Sequence, residues 1–386
     1  MDWGPPRNDA EVQALERVLQ QSFGIPNLPW TSWFERVGRE RIRVVRAQGR
    51  VVAGLGVYSL AQFWGGEVVP MGGVAGVGVA AEVRGTGIAR AMMAETLREL
   101  RGAGVPLSAL YPSTTALYRA VGYEQAGTKI TWEAPLAALP RGRHDLAVQA
   151  VDPHDRAFAP LYTARARCWN GHLDRPAAIW SRIADPYGEV AYAYTIGRED
   201  DPVAYLVHTQ KAIRAIHYEV VVRDLVWSTR AGADRVIALL SYLRSLGDKL
   251  VWTGVASDPL VSLLPEQTAR VRDHQRWMLR IVDVPRALAQ RGYAPVDGEV
   301  HLQLTDDVLP ENAGAWTLRV RGGRAEVDRG GRGEVALDVA ALACLYSGFA
   351  TPLVLRARAA LRCEDAQAAL LTALFAGEEP WMCDHF

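Results

Sequence analysis

The chain has little lysine, no motif-spaced cysteines, no long apolar run and no excess charge of either sign. Only three of its 43 basic residues are lysine: Lys129, Lys211 and Lys249. The arginine surplus accompanies an alanine- and glycine-rich sequence, and so reads as genome composition rather than a phosphate-binding surface. Lys+Arg and Asp+Glu both number 43, giving zero formal net charge. That balance leaves no electrostatic footprint for a nucleic acid or a membrane surface as partner. The four cysteines, Cys168, Cys344, Cys363 and Cys383, lie far apart without a CxxC. Neither a zinc site nor a disulfide framework is indicated. The eight histidines show no ligand spacing, so no metal is expected. With no signal-like start and no apolar run of about 18 residues, the expected location is the cytoplasm.

What is present is an ordinary globular composition, 49% hydrophobic and 22% charged over 386 residues. At roughly 150 residues per domain this length predicts two to three domains. Asn8 and Glu11 have the spacing of a capping box. Val12, Leu15, Val18 and Leu19 then form one apolar helix face. Pro26 and Pro29 precede an aromatic cluster of Trp30, Trp33 and Phe34. Strands are expected over 41–47 and 51–64, turning at Gln48-Gly49, and over 68–81. A Gly-rich corner and a helix bearing Ala91, Ala94, Leu97 and Leu100 follow. A short strand at 107–111, a short helix around Tyr118 and a strand over 123–132 complete this third of the chain.

Residues 135–145, with two prolines and several charges, read as a linker. The middle third repeats the same order: helical stretches near 153–168 and 176–184, a hairpin at 191–196 and 203–209, a strand at 214–227, a helix at 233–246 and a strand at 249–255. Arg165, Arg167 and Arg175 read as a solvated helical face. The last hundred residues alternate strands at 300–304, 315–320 and 324–327 with helices at 285–290, 339–345 and 364–375, a small α+β unit. The expected organisation is therefore α/β (α+β), with domains at 1–138, 139–283 and 284–386. The second domain is a duplicate of the first whose corner, STRAGADRV, has lost the glycine spacing.

The most informative segment is VAGVGVAAEVRGTGIARAMMA, residues 74–94. A strand ends and Arg84-Gly85-Thr86-Gly87-Ile88-Ala89 opens a helix. The unpaired N–H groups of a helix N-terminus attract an anion, and small residues let a pyrophosphate approach. A dinucleotide fingerprint is excluded, because GxGxxG is absent and no βαβ unit precedes it. The pattern R-x-x-G-x-A after a strand resembles the acyl-CoA loop of the GNAT superfamily of N-acyltransferases. A second segment, Tyr111-Pro112-Ser113 through Tyr118 to Gly122-Tyr123, resembles that superfamily's later motif, with Tyr118 at the general-acid position. A phenol, with a reference pKa near ~10, can protonate a departing thiolate. On the residues alone, Tyr118 can also be read as a packed aromatic beside Leu117 and Val121.

The whole chain resembles the enhanced intracellular survival (Eis) acetyltransferases: two tandem GNAT-like domains, the second without a CoA loop, then a sterol-carrier-protein-like domain with an aromatic C-terminus. The resemblance implies acetyl-CoA as donor, multisite N-acetylation of aminoglycosides or other primary amines, and a homo-hexamer. It places Val77 and Val79 along the pantetheine arm, Arg84, Gly85, Gly87, Ile88 and Ala89 at the pyrophosphate, and Ser113 near the thioester. It makes the α-carboxylate of Phe386 the base. A terminal carboxyl has a reference pKa near ~3.3–3.7, so it needs burial or a water relay to take an amine proton. On the acceptor side, Phe23 is present, but Gly24-Ile25-Pro26-Asn27 supplies no acid, and His385 stands where the family places one. Trp30, Trp33 and Phe34 fit either a pocket wall or a core. The C-terminal domain reads as packing that delivers the terminal carboxylate, with lipid binding as the weaker reading. The alternatives are a protein lysine N-acetyltransferase and a non-catalytic CoA- or lipid-binding scaffold.

Overall fold

The computed structural model describes residues 2–25, 30–142 and 145–386. Pro26, Asn27 and Pro29 of the sequence reading lie outside them. The chain forms two compact units. The first holds the described residues of Met1–Gly127 together with Arg276–Pro380 and His385–Phe386; the second holds Thr128–Gln275 and Trp381–Asp384.

In chain order the elements begin β1 (Asp2–Gly4), α1 (Asp9–Phe23), α2 (Trp30–Val37), β2 (Ile42–Ala47), β3 (Arg50–Trp64) and β4 (Glu67–Val79). They continue α3 (Ile88–Gly102), β5 (Leu107–Leu110), α4 (Thr115–Arg119) and β6 (Glu124–Pro135). The capping reading at Asn8 holds in modified form: its side chain accepts from Glu11 N–H, while Glu11 reaches back to the Arg7 N–H. A fork from Arg46 also binds Glu11 and holds its carboxyl down at about 2. Gln48 and Gly49 both have positive φ, 51° and 74°, the geometry of a tight hairpin turn.

Strands β1 to β4 pair antiparallel in sequence order, and β5 joins β4 in parallel. Side chains alternate across this sheet. On one face, added Cβ atoms at Gly54 and Gly78 would strike Leu15 and Leu19 of α1. On the other, Gly72 lies under Leu100 of α3. Glycine thus lets both helices approach the strands closely, and Met92, Met93 and Leu97 of α3 are fully buried.

The middle of the chain runs β7 (Val148–Val151), α5 (Ala159–Ala166), α6 (Ala177–Ala184), β8 (Ala191–Gly197), β9 (Pro202–Arg214) and β10 (His217–Trp227). Then come α7 (Arg230–Ser241), β11 (Gly247–Gly254), α8 (Pro259–Leu263) and β12 (Arg270–Ile281). Strands β7 to β10 pair antiparallel and β11 joins β10 in parallel, the same plan as the first copy. The last strand of each copy is exchanged. In the second unit β6 pairs with β11, Ile130 to Pro135 against Gly254 to Lys249. In the first unit β12 pairs with β5, Met278 against Leu110 and Ile281 against Leu107.

Two sequence readings change here. The supposed linker begins with Pro135 still in the sheet, and Leu136 and Leu139 are buried in the second core. Arg175 is not solvated. It is buried, bound to Asp224 and Asp384 and stacked over the Tyr162 ring at 3.6 Å. Two carboxylates replace the water that such a cation gives up.

The remainder is α9 (Val284–Gln290), β13 (Gly298–Thr305), β14 (Gly314–Arg321), β15 (Arg324–Arg329), β16 (Val335–Asp338), α10 (Val339–Ser347), α11 (Pro352–Ala357), β17 (Leu361–Arg362) and α12 (Asp365–Leu374). Its strands form a separate sheet in the order β15-β14-β13-β16-β17.

Candidate active site

The site in the first unit starts from an irregularity in β4. Gly54 pairs with Gly78 and Gly56 with Ala75, so Gly76 and Val77 together oppose Leu55. This is a β-bulge, which leaves a residue out of the ladder and bends the strand. Gly76 has φ +61°, and a Cβ there would lie 2.7 Å from the Trp33 ring. Conformation and space both require glycine. The parallel pairing of β4 with β5 covers only Met71 to Gly73, so beyond it the bulged strand carries Val77 and Val79 with no β5 partner.

The corner after β4 leads to α3 without a side-chain cap, because the N-cap residue is Gly87, at φ 86°. Gly85 also has positive φ, 79°, and added Cβ atoms at both glycines would meet nothing within 4 Å. The glycines therefore serve backbone shape, and the space beside them is open. Ala91 N–H is bonded to the Gly87 carbonyl; the N–H groups before it in the helix have no intrahelical acceptor. Arg84 braces the corner by donating to the Val79 carbonyl at 3.1 Å, and Thr86 donates to the Val83 carbonyl at 2.7 Å.

A cavity of about 520 Å³ opens against this corner. Its walls include Phe23, Val77, Val79, Arg84, Gly85, Gly87, Ile88, Ala89, Ser113 and Tyr118, all singled out from the sequence. Ser22, Thr114 and Leu117 also line it and were not foreseen. An uncapped helix N-terminus, suited to an anion, lies at one end of it, and the bulged end of β4 runs along one wall.

Tyr118 stands at the end of α4. It is 4% exposed and meets Tyr123 edge-on at 6.1 Å. Burial pushes its phenol up to about 12, so it keeps its proton throughout the neutral range. Tyr118 thus belongs both to the cavity wall and to the core. Tyr123 is buried, with its hydroxyl 2.7 Å from Ser108 Oγ.

The chain terminus also reaches this unit. The Phe386 ring is 6% exposed and lies near Tyr58 and Tyr111, at 6.3 and 6.1 Å. A Cβ on Gly73 would come within 2.9 Å of it. Gly56 and Tyr58 share a face of β3. Trp33 covers the first and Phe386 sits by the second. Tyr111 is two residues from Ser113 in the cavity wall. His385 is exposed and stacks on Tyr111 at 4.6 Å. Trp30 and Trp33 are buried, at 4% and 6% exposure, and Trp30 packs against Phe23 at 6.0 Å. The roles of Tyr58, Tyr111 and Gly76 went unread in the sequence; the signals available were the Gly-rich strand for Gly76 and the second motif, which opens at Tyr111.

A short parallel strand pair, a bulged strand, an uncapped glycine corner and a buried tyrosine are the features of the acyltransferase class of the GNAT type. Family models agree: the acetyltransferase (GNAT) domain matches residues 6–126, a second acetyltransferase (GNAT) domain 171–281 and the sterol carrier protein domain 284–383. N-acetyltransferase Eis of Mycobacterium tuberculosis is 30% identical over 91% of this chain and 90% of its own. A GCN5-related N-acetyltransferase structure from Anabaena variabilis is 37% identical, with a TM-score of 0.96 and 100% coverage of both chains. Eis1 from Mycobacterium abscessus, at 24% identity and TM-score 0.82 over 100% of both chains, shares the fold. The chain belongs to the Eis family of N-acetyltransferases.

Proposed function

We propose that this enzyme moves the acetyl group of acetyl-CoA onto a primary amine, with Tyr118 as general acid and the Phe386 α-carboxylate as base. One observation carries the reading: the uncapped end of α3, the bulged end of β4 and Tyr118 converge on one cavity. Gly85, Gly87, Ile88 and Ala89 would take the pyrophosphate through backbone N–H groups, with Arg84 beside them. Val77 and Val79 would pair with the pantetheine arm, and Ser113 would lie near the thioester. In the reaction the amine nitrogen bonds to the carbonyl carbon and the C–S bond breaks. The backbone N–H near Val77 faces the developing oxyanion. Tyr118 gives its proton to the departing sulfur, and the Phe386 carboxylate takes one from the amine, directly or through water.

Phe23, Trp30, Trp33 and His385 frame the acceptor side in this reading. The resemblance adds aminoglycosides among the acceptors and a homo-hexamer; a cytoplasmic location is the sequence-based expectation. Among the described residues no helix is long and apolar enough to cross a membrane.

Thiol release from acetyl-CoA tests the reading against a panel of aminoglycosides, polyamines and lysine peptides. Turnover with the small amines supports it; turnover with peptides alone would move the assignment to protein acetylation, and none at all would leave a binding scaffold. Sedimentation at micromolar concentration tests the hexamer, which a monomer would remove.

A further inference from the structure

Helix α4, which carries Tyr118, spans only Thr115–Arg119, and its N-cap Thr114 makes no side-chain capping bond. A helix this short does not hold itself by its own hydrogen bonds. The Tyr118 carbonyl accepts from the Val121 and Tyr123 N–H groups, both at 3.1 Å, and the chain turns at Gly122 with φ 84°. The Val121 carbonyl takes its hydrogen bond from Arg280 Nε at 2.9 Å.

Arg280 lies on β12 and is fully buried. Its other nitrogens donate to the Ile281 carbonyl at 2.7 Å and to both carboxylate oxygens of Asp306, at 2.7 and 2.8 Å. Asp306, just past β13, is held in turn by the N–H groups of Val308 and Leu309 and by Asn312 Nδ2. Asn312 Oδ1 accepts from Arg101 in the last turn of α3. Both helices that flank the cavity thus end on one polar hub from the C-terminal part of the chain. An added Cβ on Gly122 would lie 2.9 Å from Arg280 Nε, so the guanidinium sits directly against the turn.

A buried ion pair is weak evidence for stability, since apolar residues fill such space as well. A planar fork can do what an apolar side chain cannot: fix one carbonyl and one carboxylate at a set angle. We infer that Arg280, braced by Asp306, is a positioning residue that sets the place of the Tyr118 phenol at the cavity. The inference rests on the reading of Tyr118 as the acid.

Arg280→Lys keeps the charge but has no fork to serve both Val121 and Asp306. Asp306→Asn keeps a side chain that can accept from the Val308 and Leu309 N–H groups while removing the carboxylate, and serves if the lysine variant does not fold. Each is made alone and combined with Tyr118→Phe, and kcat and KM for acetyl-CoA are measured at matched folded fraction. A misplacement near 1 Å costs on the order of 100-fold, so Arg280→Lys should lower kcat about ten- to a hundred-fold with KM unchanged. Asp306→Asn should lower it less. With Tyr118 already replaced by phenylalanine, neither change should lower kcat further. Equal losses with and without the phenol, or no loss at all, would overturn the positioning role. Wild-type turnover in Tyr118→Phe alone would instead overturn the acid reading on which it rests.

Discussion

The two copies differ most where a strand hands over to a helix. In the first, the chain wanders from Val79 to Ile88, and the N-cap of α3 is a glycine with no side chain to offer. In the second, β10 ends at Trp227 and α7 begins at Arg230. There the Thr229 hydroxyl accepts from Gly232 N–H at 3.1 Å, and Ser228 bonds the Val203 carbonyl through both its N–H and its hydroxyl. The later corner repeats the contrast: Thr114 makes no side-chain cap, whereas Asp258 accepts from Leu260 N–H at 2.9 Å. A cleft of the second copy, lined by Trp227, Trp252 and Asp258, holds about 60 Å³ and includes no residue of the α7 corner, whereas the first copy's cavity of about 520 Å³ is walled by the α3 corner. A helix end binds a foreign anion where the chain's own side chains leave its N–H groups free.

The comparison would break most completely if the second copy also bound acetyl-CoA. Calorimetry should give one site per chain, and Gly87→Glu should abolish binding. A side chain at φ 86° is strained by roughly 1–2 kcal/mol, and a carboxylate would face the pyrophosphate. Two equivalent sites, or binding that survives the substitution, would end the distinction.

Next in size is the tyrosine. Tyr118→Phe should lower kcat by about 10²–10⁴-fold with acetyl-CoA affinity retained. Ser262→Ala, on α8 in the second copy, should change nothing. Because burial holds the phenol up to about 12, the acid stays protonated and kcat should show no alkaline fall from Tyr118 up to roughly pH 10. An alkaline limb below that pH, absent in Tyr118→Phe, would show a more exposed phenol.

The tail sharpens the contrast, since each copy receives a different part of it. Asp384 is paired with Arg175 in the second unit, and the Phe386 ring docks in the first. Deleting Phe386 shifts the terminal carboxylate by about 3.3–3.6 Å if extended. Turnover should then drop on the order of 100-fold, as it should with a C-terminal extension. An N-terminal tag should be harmless. Equal turnover in all three would place the base elsewhere.

The smallest effect belongs to the second corner. Thr229→Ala removes an N-cap and should cost about 1 kcal/mol of stability in urea unfolding. Acetyl-CoA affinity should stay the same; if it fell, α7 would have a part in binding.

Much of the first copy's site was legible because its signals are local. Arg84 to Ala89 announces a helix start without a capping side chain, and Tyr118 before Gly122-Tyr123 announces a short helix that stops. Strand β12 was missed for a physical reason. Its sequence, RVRDHQRWMLRI, interrupts the apolar run with Arg280, whose buried place depends on Asp306, 26 residues away. Arg175 was misread in the same way, because its partners Asp224 and Asp384 are 49 and 209 residues distant.

Turn chemistry, helix caps, the duplicated order of elements and the glycine corner were determined by the sequence alone, since each depends on the φ preferences and hydrogen-bonding groups of neighbours along the chain. Tertiary structure alone decided which copy's last strand pairs with which sheet, where Arg175 and Arg280 find their carboxylates, and how the Phe386 ring comes to lie on β3 and β4. Those outcomes depend on partners far apart in the chain, and no local pattern records the moment when a buried charge or a tail residue finds its match.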